Sequence, residues 1–181
     1  MFLDEFSSSY RERLGTTWAL RGQRPVIKRT DADRRVLSCI GVLTLSGGIY
    51  TMHVDGSITS NLIIKMLKHL LRYMPQRFVL IWDGTSTHRS KVTKAFLTQH
   101  PEIAVEPLPP LPPLPPYAPE LNPEEYSHGN VKACNRNSTP ADKTQMRNQL
   151  VKGFRRLRRR QDLLLSFINH AGLTVKQLRR S

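Results

Sequence analysis

Five apolar residues in unbroken succession, Phe78, Val79, Leu80, Ile81 and Trp82, run straight into Asp83. A run that short has the length of a strand, and Pro75 and Gly84 bound it. Because every residue is apolar, not alternate ones, it suits a central strand covered on both faces. A carboxylate at the end of such a strand is costly unless it faces a cleft or a cation. The rest of the chain must be laid out around it.

The flanking segments supply the partners. Residues 1–6 read as a short apolar strand that delivers Asp4 and Glu5, and residues 7–34 are polar and irregular, broken by Gly15, Gly22 and Pro25. Residues 36–45 are apolar and β-branched, the turn Ser46-Gly47-Gly48 follows, and residues 49–54 return as the second arm of a hairpin. Between residues 58 and 73 the spacing of Leu62, Ile63, Met66, Leu67, Leu70 and Leu71 is helical, with Thr59 or Ser60 as cap. A helix over 90–100 and a short strand at 103–105 come next. Strand and helix alternating after a hairpin predict a mixed α/β sheet of about five strands, flanked by helices on both faces.

Residues 107–119, PLPPLPPLPPYAP, predict extended polyproline II, as a stiff connector in preference to a docking peptide for an aromatic groove. After Asn122-Pro123 a helix carries Glu124, Glu125, His128 and Lys132. A last helical region opens at Thr139-Pro140-Ala141-Asp142, read as a cap, a proline at the first position and an acid at the third. Its apolar stripe is Met146, Leu150, Phe154 and Leu157, and Lys152, Arg155, Arg156, Arg158, Arg159 and Arg160 crowd the remaining surface.

Charge narrows the function. The net charge of the 181 residues is +14, and it is unevenly placed: residues 126–181 hold 13 basic and 2 acidic residues, whereas residues 1–125 hold 15 and 12. Such a basic end predicts a polyanion partner, nucleic acid first among them. No apolar run reaches the ~18–20 residues of a membrane span, and the acidic start is unlike a signal peptide. Cys39 and Cys134 are too few for a disulfide framework and lack zinc-site spacing, which points to a reducing cytoplasm.

Three acids stand out by position: Asp4 on the first strand, Asp83 at the end of FVLIWD, and Glu125 at the start of a helix. Each alone has an ordinary explanation as a cap or surface turn. Converging, they would suit two magnesium ions, which take hard oxygen ligands and serve phosphodiester chemistry. The segments 81–97, IWDGTSTHRSKVTKAFL, and 114–132, LPPYAPELNPEEYSHGNVK, closely resemble the endonuclease domain of bacterial insertion-sequence transposases of the Tc/mariner superfamily. So does the start, FLDEF followed by WALRGQRP, and the resemblance runs from about residue 2 to about 135.

The resemblance implies a ribonuclease H-like fold over residues 1–135, a basic helical extension over 136–181, and a DDE metal triad. On it, Asp4, Asp83 and Glu125 are the catalytic and metal-binding carboxylates, with two Mg2+ or Mn2+ ions, and Glu124 takes the variable place. His88 matches a histidine that often follows the second aspartate, either packing at a helix start or touching DNA. Arg89, Lys91 and Lys132, with the six cations between residues 152 and 160, complete the DNA-contacting set. Gly84 stands where many relatives have asparagine. The 41 residues between Asp83 and Glu125 fall to 35 if one PLPPLP unit is removed, so the proline tract looks like a local expansion of a loop, which costs little.

Relatives carry helix-turn-helix modules ahead of the first aspartate, and here Asp4 is almost the first residue. The expectation is therefore a catalytic half, cutting and joining double-stranded DNA at element ends and target, working with a separate DNA-binding half and as a homodimer when active. The alternative is a truncated, catalytically inactive, basic DNA-binding remnant.

Overall fold

The computed structural model describes residues 1–9, 15–26, 36–74, 76–108 and 121–172. Five strands form one mixed sheet: β1 (Phe2–Ser9), β2 (Val36–Leu43), β3 (Ile49–Asp55), β4 (Phe78–Trp82) and β5 (Ile103–Pro107). Their spatial order is β3-β2-β1-β4-β5. β1 pairs antiparallel with β2, β2 antiparallel with β3, and the pairings of β4 with β1 and β5 are parallel. The helices are α1 (Ser60–Tyr73), α2 (Lys91–Gln99), α3 (Pro123–Cys134), α4 (Lys143–Arg158) and α5 (Gln161–His170). The expected element order and the five-stranded mixed sheet are both present.

The period of two along a strand sorts residues between the faces. Leu3, Ile40, Val42, Leu80, Trp82 and Ile103 meet Ile63, Met66, Leu67 and Leu70 of α1 and Phe96 of α2 in one core. Phe6, Leu37, Cys39, Leu43 and Ile49 face the other way, onto Val131 of α3, Leu150, Phe154 and Leu157 of α4, and Leu164 and Ile168 of α5. Adjacent residues of β1 therefore look into opposite cores, and this alternation governs the site.

Four sequence expectations are corrected. β1 runs on to Ser9, because Ser7, Ser8 and Ser9 pair with Ser38, Leu37 and Val36; the partner strand imposes extension on a polar segment. β4 is not covered on both faces: Val79 is 47% exposed, since α3, α4 and α5 pack over the β1–β3 half of their face. The cap of α4 is Asp142, not Thr139. Its side chain accepts from the Gln145 N–H at 2.8 Å while Gln145 Oε1 accepts from the Ala141 N–H at 2.9 Å, a reciprocal arrangement that leaves Pro140 outside the helix. The basic run is also interrupted, α4 ending at Arg158 and α5 starting at Gln161. The polyproline expectation covers residues 107–119: Pro107 closes β5, and residues 109–119 lie outside the described residues.

Candidate metal centre

Counting two residues on from the Phe2–Ile81 pair along two parallel strands brings Asp4 level with Asp83. Asp4 shares the face of Phe6 and is 5% exposed. Glu5, its neighbour, faces the Trp82 side. Around these two acids the chain gathers two groups whose ligand atoms all lie within 4.8 Å of one another: Asp4 with Glu125 and His128, and Glu5 with Asp83 and His88. Glu125 thus reaches Asp4, and Asp83 joins Glu5.

α3 positions the first group. Asn122 caps it, its side chain accepting from the Glu124 N–H at 3.1 Å, and Pro123 takes the first turn, where its missing N–H costs nothing. Glu124 and Glu125 then diverge by about 100° around the helix axis. Glu125 is half-buried, while Glu124 is completely buried and faces β2. There Gly41, the β2 partner of Asp4, leaves the space: a methyl at Gly41 would overlap Glu124 Oε1 and stand 2.9 Å from His128 Nε2. His128, one turn on, lies 4.3 Å from the Phe6 ring, with Nδ1 3.5 Å from Asp4 Oδ2 and Nε2 3.4 Å from Glu124 Oε1. Burial lowers the His128 pKa, but the flanking carboxylates of Asp4 and Glu124 outweigh it and lift it to about 9. Burial raises the pKa of Glu124.

The second group is closed. His88 is buried and stacked on Trp82 at 4.1 Å and 3°. Its Nε2 donates to Glu5 Oε1 at 2.8 Å; its Nδ1 donates to the Asp83 carbonyl and lies 2.9 Å from Asp83 Oδ1. Every neighbour is an acceptor, so both nitrogens carry protons. Burial opposes that charge, but Asp83 and Glu5 prevail and raise the pKa to about 10. Asp83 is lowered in turn, His88 and the Thr85 N–H overcoming its own burial.

The two groups differ in what they lack. In the first, Asp4 Oδ2 and both nitrogens of His128 are buried without a hydrogen-bond partner, an arrangement that a cation would satisfy. A donor set of two carboxylates and an imidazole suits a divalent ion. A divalent ion and the proton on His128 compete for the same place.

Of the expected DNA contacts, His88 is enclosed between Trp82 and two carboxylates, not presented at the surface. Arg89 and Lys91 are exposed at the start of α2, and Lys132 lies over the Phe6 ring at 5.1 Å. Arg156 donates to Asn130 Oδ1 at 2.7 Å, Arg158 to the Ile49 carbonyl at 3.2 Å, and Arg160 to both oxygens of Asp162. Lys152, Arg155 and Arg159 are exposed. Sequence reasoning missed Glu5 and His128 as members of the clusters. The i,i+3 and i,i+4 spacing of Glu125 and Glu124 to His128 was the signal available.

A family model described as DDE superfamily endonuclease matches residues 1–147. Among solved structures, a mariner Mos1 paired-end complex with Mg is 15% identical with a TM-score of 0.59, over 96% of this chain and 56% of that one. A Mos1 mariner paired-end complex with Mn is 15% identical with a TM-score of 0.57, over 91% and 54%. The catalytic domain of Mos1 mariner transposase is 15% identical with a TM-score of 0.50, over 94% and 81%. The chain thus spans a little over half the length of the first two. The shared fold is the ribonuclease H-like one. No curated protein sequence matches. Among the described residues no helix is long and apolar enough to cross a membrane.

Proposed function

The chain belongs to the DDE superfamily of endonucleases, and from that premise we propose that it carries out metal-dependent cleavage and strand transfer of double-stranded DNA in the transposition of an insertion sequence. The observation that carries the reading is the convergence of Asp4 and Glu125 around unpartnered buried atoms, with Asp83 level with Asp4 on the adjacent parallel strand. Asp4, Asp83 and Glu125 are the acids assigned to hold the ions, Mg2+ or Mn2+, the metals present in the similar mariner paired-end complexes. When bound, two such ions supply the charge that activates an attacking oxygen and stabilises a leaving one.

The chain's own groups do the rest. Asp4 is fixed by the Glu5 N–H, which donates to its Oδ1 at 2.9 Å and leaves Oδ2 for the site. His88 ties Asp83 to Glu5 and so holds the loop after β4 against β1. Lys152, Arg155 and Arg159 offer exposed charge for phosphates. The DNA-binding half and a second copy of the chain belong to the same proposal.

Nicking of supercoiled plasmid with Mg2+ or Mn2+ tests it. Asp4→Asn, Asp83→Asn and Glu125→Gln keep shape and remove charge, and each is expected to lower nicking at least about 100-fold with DNA binding unchanged. Full activity in the Glu125→Gln protein would overturn the assignment of the third acid. A parent chain that binds DNA and never nicks it, even with a DNA-binding half supplied, would leave an inactive DNA-binding protein in its place.

A further inference from the structure

His128 has no part in a triad of acids, yet its ring stands between Asp4 and Glu124. It is 1% exposed, and neither ring nitrogen has a hydrogen-bond partner; nor has Asp4 Oδ2. A charged imidazole beside a carboxylate ordinarily closes to about 2.7–2.9 Å. His88 does so, at 2.8 Å from Glu5 and 2.9 Å from Asp83. His128 stands off, its Nδ1 3.5 Å from Asp4 Oδ2. Two donors each about 2.1 Å from one ion, at about 90–109°, lie about 3.0–3.4 Å apart. That is close to the separation observed. A carboxylate oxygen of Glu125 lies within 4.8 Å of a ligand atom of Asp4 and of one of His128. The far nitrogen, Nε2, faces the wholly buried Glu124 at 3.4 Å, and a metal-bound imidazole ordinarily gives its second N–H to such a carboxylate.

We propose that His128 is a metal ligand through Nδ1, in a site shared with Asp4 and Glu125, and that Glu124 orients its ring by accepting from Nε2–H. This rests on the metal-dependent reading above and adds a nitrogen donor to it. The donor changes the ion that the site favours. Mg2+ takes oxygen ligands almost exclusively, whereas imidazole suits the transition metals, so the mixed set ranks Mn2+ above Mg2+. Glu124 is then a positioning residue, acting through His128.

Pulsed electron paramagnetic resonance of Mn2+ bound to the full chain tests the proposal, because it registers nitrogen nuclei bonded directly to the ion. A directly coordinated nitrogen is expected in the parent. His128→Gln is expected to lose that signal and bind Mn2+ about 10–100-fold more weakly. Glu124→Gln keeps an accepting oxygen and should retain both signal and affinity, whereas Glu124→Leu should weaken Mn2+ at least about tenfold. The parent spectrum decides without any variant having to fold. Mn2+ bound with no nitrogen signal overturns the His128 assignment and leaves the carboxylate site standing. A parent chain that binds no Mn2+ at millimolar concentration overturns both.

Discussion

His53 lies opposite Cys39 across β2 and β3, its Nδ1 buried without a partner and its ring edge-on to Phe154 at 5.6 Å. Burial first, then the charges of Arg147 and Arg158, lower its pKa to about 4. The native state therefore resists a proton that the unfolded chain accepts below about 6.5. His53 contributes its stability in full above that value, and the contribution is lost as the pH falls toward 4. Allowing for its partial exposure, the His53 contribution should drop by about 1 kcal/mol between pH 7 and pH 5, while His88 and His128, whose values are raised, contribute in the opposite direction. Urea midpoints of the parent and of His53→Leu at the two values check this: the parent should lose about 1 kcal/mol relative to the variant on going from pH 7 to pH 5. Gly41 is the second sensitive point. Gly41→Ala should push Glu124 and His128 out of place and weaken Mn2+ binding at least about tenfold, measured by titration calorimetry. The position of Asp83 at the end of FVLIWD was legible because one segment carries the signal. The burial of Glu124 was not, since it depends on a glycine 83 positions earlier that the β1–β2 register brings beneath it.

α3 owes its place to α4. Gly153 lets the two helices approach closely enough that a methyl there would stand 2.9 Å from Val131 Cγ1. Gly153→Ala gains helix propensity of up to about 1 kcal/mol and meets an overpacked contact that costs about 1–3 kcal/mol. A net loss of stability is expected in thermal unfolding, with weakened Mn2+ binding because α3 carries Glu125 and His128. α4 also covers an edge. Arg158 donates to the carbonyl of Ile49, while Lys143 and Arg147 pair with Asp55 at the other end of β3. Bonds of this kind protect an open strand from pairing with another chain. The apolar stripe of α4 was readable from its 3.6-residue period. The break before α5 was not, for no glycine or proline marks it; it is set by Leu164 and Ile168 turning back into the core shared with Phe154.

At the scale of the molecule, the sheet is covered by α1 and α2 on one face and by α3, α4 and α5 over part of the other. The basic excess falls in the second group of helices. Composition placed that excess correctly but could not say which cations are already engaged. All six are exposed, but Arg156, Arg158 and Arg160 also bond to Asn130, Ile49 and Asp162, while Lys152, Arg155 and Arg159 lie along and just beyond α4. The two sets should therefore answer differently to neutralisation. Replacing Lys152, Arg155 and Arg159 together by glutamine takes positive charge away from the phosphates without touching the fold. The slope of log affinity against log salt should flatten by about 0.9 for each phosphate left unneutralised, up to about 2.7 for all three cations, with an unchanged melting temperature. Arg158→Gln should instead loosen β3, costing about 1 kcal/mol of stability, while changing the salt slope by less than about 0.9. Filter binding to random duplex DNA over a range of salt, beside thermal unfolding, separates the two. If the triple variant kept the full salt slope, DNA would not run along α4, and the exposed Arg89 and Lys91 at the start of α2 would be the next cations to neutralise.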